Sequence, residues 1–231
     1  MVLLAENDTG YHNLIKIVSR GYTEGYYYKP RVDKELLMEY HEGIIALSAC
    51  LAGEVASYLK MGLYEEAKKA ALSYQDIFGK DNFFLELQDH GIMEQQTVNQ
   101  GLLRMSQETG IELVATNDIH YVMDTDEEAH DILLCIQTQK KVTDENRMRY
   151  DGGQYYLKSP EEMQEYFKNV PEAIENTVKI AEKCNVEFEF GHTILPNYDV
   201  PTEFETHYDF LEKLCYDGLK ERYGDNLSEE I

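Results

Sequence analysis

The feature that most constrains this chain is a repeated alternation. Short apolar runs give way, again and again, to longer segments whose apolar residues recur at helical spacing. Val2-Leu3-Leu4-Ala5, Ile44-Ile45-Ala46-Leu47-Ser48-Ala49, Phe83-Phe84-Leu85-Glu86-Leu87-Gln88 and Leu113-Val114-Ala115 each read as a strand. Between them, Asp8 or Thr9 caps a helix to about Tyr22, and Asp33 caps a short one to about Tyr40. Glu54–Met61, Tyr64–Phe78 and Met93–Glu108 are further helices, the last stopping at Gly110. The tyrosine-rich stretch Tyr22–Arg31 is a loop. Strand and helix in turn predict an α/β fold with a parallel sheet or barrel. Ligands in such folds collect at the carboxyl ends of the strands. Asn7, Cys50, His90, Asp118 and His120 all lie just after strands.

Beyond Tyr121 the pattern becomes helical. Thr125 opens a segment to about Thr138, and Val142–Asp151 is a polar loop carrying Arg147 and Arg149. Tyr155–Lys158 reads as an edge strand. Ser159-Pro160-Glu161-Glu162 begins a helix in the order cap, proline, acids. Pro171–Cys184 and Tyr208–Tyr223 are two more helices, separated by a linker over residues 188–202, and Gly224–Ile231 reads as the start of another. Both ends look cut: an apolar run begins at Val2 without a turn before it, and the tail stops inside a helical pattern.

Charge narrows the partners. The 231 residues hold 44 acidic and 21 basic side chains, a net charge of -23. A surface this acidic repels phosphate backbones and argues against general nucleic-acid binding by this segment alone. A metal ion that engages one phosphate is still compatible with it, because the ion reverses the local field. No apolar run is long enough to span a bilayer, and Glu6-Asn7-Asp8 breaks any signal-peptide pattern, so a cytoplasmic protein is expected. The widely spaced Cys50, Cys135, Cys184 and Cys215 make no disulfide framework and are expected reduced. The last three lie on apolar helix faces and read as core.

The candidate site centres on Glu112–Tyr121. A strand running into Asp118-Ile119-His120 places the carboxylate and the imidazole on one face, because residues two apart on a strand point the same way. Such a pair suits a divalent metal, and Cys50 offers a thiolate from another strand end. Cys50, Asp118 and His120 are the candidate metal ligands. His90 reads as a turn residue or as a group that orients a ligand, and Glu86 either points into the barrel or pairs with a base. His130, four residues into a helix, could face the site, but reads more readily as a solvated or hydrogen-bonded histidine. A mixed nitrogen, oxygen and sulfur set suits zinc, or a zinc and manganese cluster. Three ligands do not fill a site of two or three metals, so no metal at all in this segment is the other expectation.

Several blocks carry a resemblance. They are Leu3-Leu4-Ala5-Glu6-Asn7, Gly25-Tyr26-Tyr27-Tyr28-Lys29-Pro30-Arg31, Ala46 to Glu54, Glu86-Leu87-Gln88-Asp89-His90-Gly91, Ala115 to Tyr121 and Tyr156 to Met163. Together they closely resemble the alpha subunits of bacterial DNA polymerase III, the C-family replicative polymerases. The resemblance implies a polymerase and histidinol phosphatase (PHP) domain, a (β/α)7 barrel present here in incomplete form. Residues 1–187 correspond to its C-terminal two-thirds, 188–202 to a linker and 203–231 to the start of the polymerase module. Carried over position by position, Cys50, Asp118 and His120 match metal ligands of that domain. The family's opening His-x-His and its polymerase aspartates have no counterpart in this chain.

The resemblance further implies a parent that synthesises DNA from nucleoside triphosphates with magnesium, alongside a proofreading exonuclease and a sliding clamp. The PHP segment itself is then either a proofreading 3′–5′ exonuclease or a structural and docking module. A stand-alone PHP phosphatase is the alternative. Alone, the segment is expected to be inactive and, through unpaired strand edges, to self-associate.

Overall fold

A computed structural model describes residues 1–150 and 152–224. The expected start of a last helix therefore falls mainly on residues outside those described. Four strands form one sheet: β1 (Val2–Ala5), β2 (Ile44–Leu47), β3 (Phe83–Leu87) and β4 (Leu113–Ala115), in the order β1-β2-β3-β4. The helices are α1 (Asp8–Thr23), α2 (Lys34–Glu39), α3 (Glu54–Lys60), α4 (Tyr64–Phe78), α5 (Met93–Thr109), α6 (Glu127–Thr138), α7 (Pro160–Tyr166), α8 (Pro171–Lys183) and α9 (His207–Tyr223). The fold is thus mixed α/β, with four strands among the described residues, fewer than the seven of the barrel that the resemblance implies.

β2, β3 and β4 run parallel, as βα repetition predicts, but β1 pairs antiparallel with β2, Ala5 opposite Ile44. A run of four apolar residues carries no mark of direction. One consequence is a correction. Asn7 lies at the amino end of β2, away from Cys50, and serves as the helix cap: its Oδ1 accepts from Gly10 N at 3.0 Å, in place of the expected Asp8 or Thr9. Here α1 starts against the backbone leading into β2. A Cβ on Gly10 would stand 1.7 Å from the Gly43 carbonyl oxygen, so only glycine permits the approach.

The remaining caps follow their chemistry. Asp33 Oδ1 accepts from Leu36 N at 2.9 Å, α5 ends at Gly110, and Ser159 with Glu162 closes a capping box on α7. Helix α6 is preceded by a 3-10 turn, Asp124–Asp126, with Asp126 rather than Thr125 at its boundary. Tyr155–Lys158 is not a strand, although it touches the neighbouring segment through His120 N to Tyr155 O (2.8 Å) and Leu157 N to Val122 O (3.2 Å).

The larger core lies between the sheet and helices α3, α4 and α5, around Ile44, Phe83, Leu85, Leu102 and Met105. The opposite face, with Ile45, Leu47, Phe84 and Val114, packs on Ile180 of α8. Helix α8 also reaches the outer edge of β4, where Asn176 Nδ2 donates to Leu113 O at 2.7 Å. Cys135 is buried as expected, whereas Cys184 is half-buried and Cys215 is exposed. The chain divides into two compact units, Met1–Glu187 and Phe188–Ile231; in the second, α9 opens on a Thr206–Asp209 capping box and buries no residue. Among the described residues no helix is long and apolar enough to cross a membrane.

Candidate functional site

Because β2, β3 and β4 are parallel, their carboxyl ends form one rim, and the polar residues after each strand meet there. Glu86 joins them. It shares a strand face with Phe84 and Gln88, is only 4% exposed, and has both oxygens engaged. Oε2 accepts from the backbone N of Ala49 at 3.0 Å, and Oε1 accepts from Gln88 Nε2 at 2.9 Å and Thr116 Oγ1 at 2.5 Å. The Glu86 backbone N in turn donates to Ser48 Oγ at 2.8 Å. One carboxylate thus ties the ends of all three parallel strands. Cys50, half-buried, lines a cavity of about 10 Å³ with Glu86, Gln88, Gln95 and Asn99, room for about one water.

The end of β4 carries the second group. The strand stops at Ala115, and Asp118 adopts a left-handed backbone with φ +45. Strand alternation therefore does not place Asp118 and His120 on one face. The turn does, bringing His120 Nε2 to 3.5 Å from Asp118 Oδ1. Aspartate is among the few residues that adopt this backbone readily.

Asn117, one residue earlier, is held from three sides. Its side-chain Nδ2 donates to Tyr156 O at 3.0 Å, its Oδ1 lies 3.5 Å from Lys158 Nζ, and its carbonyl lies 2.9 Å from His90 Nε2. His90 is 2% exposed, with Gln95 Nε2 at 2.7 Å from Nδ1 and Gln95 Oε1 accepting from its backbone N at 2.8 Å. An amide nitrogen can only donate, so Nδ1 accepts and the ring proton sits on Nε2, donating to Asn117 O. Burial lowers the His90 pKa and favours the neutral ring. Lys158, also buried, donates to Gln154 O; burial pushes its pKa down too.

Aromatic rings close over the pair. Tyr150 lies 4.3 Å from the His120 ring and Tyr155 stacks on His90 at 4.1 Å. His130 lies 5.7 Å from His120 and 5.2 Å from Tyr150, so of its readings the one that faces the site describes it, and not the solvated one. Its place four residues into a helix was the available signal. Tyr150 had none: it arrives through a loop fastened by Arg147, whose guanidinium grips Asp131 of α6 at 2.5 and 2.6 Å. That contact holds the Asp131 carboxyl below its usual range.

The structure thus brings Asp118 and His120 together and sets Cys50 beside Glu86. Among the described residues no group of three or more His, Cys, Asp and Glu side chains is arranged to hold a metal ion. The residues described do not by themselves fit a metal cluster.

A sequence model of the PHP domain matches residues 1–90. The DNA polymerase III subunit alpha of Borreliella burgdorferi is 47% identical over 232 residues, covering 100% of this chain and 20% of that protein. The same subunit from Treponema pallidum is 45% identical over 231 residues (100% and 20%), and that from Deinococcus radiodurans 45% over 240 (100% and 18%). The chain is thus similar over its whole length to one region of DNA polymerase III alpha subunits, and over residues 1–90 to the PHP domain. It spans about a fifth of the length of these relatives.

Proposed function

We propose that the chain is part of the PHP domain of a replicative DNA polymerase III alpha subunit, and that on its own it is a scaffold and docking segment and not a hydrolase. The observation that carries this reading is the donor set: Asp118 and His120 stand 3.5 Å apart, with no third ligand joining them among the described residues. A metal-activated water needs an ion held by several ligands. The neighbouring polar groups are already spent on structure, Glu86 on three strand ends and His90 on the Asn117 carbonyl.

In this reading Asp118, His120 and Cys50 contribute part of a metal-binding set, suited to zinc or zinc with manganese, that other residues of a parent protein complete. His90 orients the Asp118 turn. Residues 1–187 are barrel, 188–202 linker and 203–231 the start of the polymerase module, in keeping with a division into compact units at Glu187. The parent would be a cytoplasmic DNA-directed DNA polymerase using magnesium, deoxynucleotides and DNA, working with a proofreading exonuclease and a sliding clamp.

The test incubates the purified chain with an end-labelled primer–template bearing a mismatched 3′ terminus, in magnesium, manganese or zinc. Intact primer is expected. Shortening that an Asp118→Asn change abolishes would overturn the scaffold reading in favour of a proofreading exonuclease.

A further inference from the structure

Tyr22–Arg31 is the part of the sequence pattern that neither the core nor the rim absorbs. Tyr26, Tyr27 and Tyr28 are 60%, 64% and 80% exposed, and Lys29, Pro30 and Arg31 are exposed beside them. Aromatic side chains bury more apolar area than most, so three consecutive rings left in water need an explanation.

The turn is a built one. A Cβ on Gly25 would stand 1.9 Å from the Arg31 carbonyl oxygen, so glycine lets the returning chain lie against the end of α1. Across the tip, Tyr27 N donates to Lys29 O at 3.1 Å, and Tyr28 takes a left-handed backbone with φ +60. A tyrosine held there is displayed, since its conformation would suit glycine better. The Tyr27 and Tyr28 rings meet edge to face at 4.6 Å, with the Arg31 guanidinium 5.3 Å from the Tyr27 centroid.

Charge here departs from that of the chain. Gly25–Val32 contains Lys29 and Arg31 and no acid, in a sequence with 44. Among the described residues neither cation forms an ion pair. Of the acids that line one cavity with Arg31, Glu24 and Glu39 both pair with Arg20 at 2.9 Å, Asp33 caps α2, and Glu35 stands beside them on the first turn of α2.

We propose that this turn is a stacking platform for the unpaired bases of a single-stranded nucleic acid, with Lys29 and Arg31 meeting its phosphates. Every base offers a π face, so stacking on exposed rings is tolerant of sequence. Stacking itself does not draw on charge, and Lys29 and Arg31 offset locally the repulsion that the net charge of -23 exerts on the phosphates. With only two cations engaged, binding should weaken only gently as salt rises. The surface uses none of the residues around Asp118, so its failure would leave the scaffold reading standing.

The test is fluorescence anisotropy of a labelled oligothymidylate against the full chain at low salt. Binding is expected, and the double change Tyr27→Ala with Tyr28→Ala should weaken it about tenfold or more. Both rings are exposed, so an unchanged melting curve will show that the variant folds. Phenylalanine at both positions should retain binding and leucine should not, which separates stacking from mere apolarity. Absent binding by the unaltered chain, an unaffected alanine variant, leucine performing as well as phenylalanine, or equal affinity for duplex would each overturn the proposal.

Discussion

At the scale of single residues, Glu86 does more structural work than any side chain near the rim. It is buried, and its two oxygens receive one backbone and two side-chain hydrogen bonds from the ends of β2, β3 and β4. Removing the carboxylate leaves those donors unpaired in a closed space. Glu86→Ala should therefore cost about 2–4 kcal/mol in urea unfolding, while Glu86→Gln, which retains an acceptor, should cost clearly less. The sequence placed Glu86 on the right face through alternation, but two of its three partners, Ala49 and Thr116, lie 37 and 30 residues away, where local pattern is silent. Asp118 shows the converse. The side chains come together as alternation suggests, yet the strand ends at Ala115 and a left-handed turn makes the meeting. Spacing two residues apart was legible; the backbone that realises it was not.

At the scale of elements, charge fastens one helix to another. Glu108 at the end of α5 accepts from Lys68 of α4 at 2.7 Å and from Arg104 of its own helix at 2.7 Å. These two bonds, in that order, pull its pKa down to about 2. An acid whose pKa is lower folded than unfolded adds stability above its unfolded pKa, about 4.3, and loses it as pH falls toward the folded value. Glu108→Gln should accordingly flatten the stability-versus-pH curve between about pH 4.3 and 2 and leave its slope near neutrality unchanged. Denaturant titrations across that range will show it. The pair is exposed, so the effect will shrink in high salt. Helix and strand positions were largely legible in the sequence, because apolar periodicity and caps act over a few residues. Strand direction was not, and β1 runs opposite to expectation. Nor could spacing reveal that Tyr150 and His130 would meet His120, since an ion pair between Arg147 and Asp131 sets that contact.

At the scale of the whole molecule, the core belongs to Met1–Glu187, where the sheet and eight of the nine helices among the described residues lie. Both packed faces of the sheet are covered by residues before Glu187. A chain ending at Glu187 should therefore melt at nearly the same temperature as the full chain. A large drop in its midpoint would show that the core depends on residues 188–231. Asn7, Gly10 and Gly43 show what such a fold asks of its engineers. A Cβ on Gly43 would stand 2.5 Å from Asn7 Oδ1, just as one on Gly10 would strike the Gly43 carbonyl. The three behave as a lock with one key, so a chimera whose crossover falls between residues 10 and 43 must draw both flanks from lineages that kept the same trio.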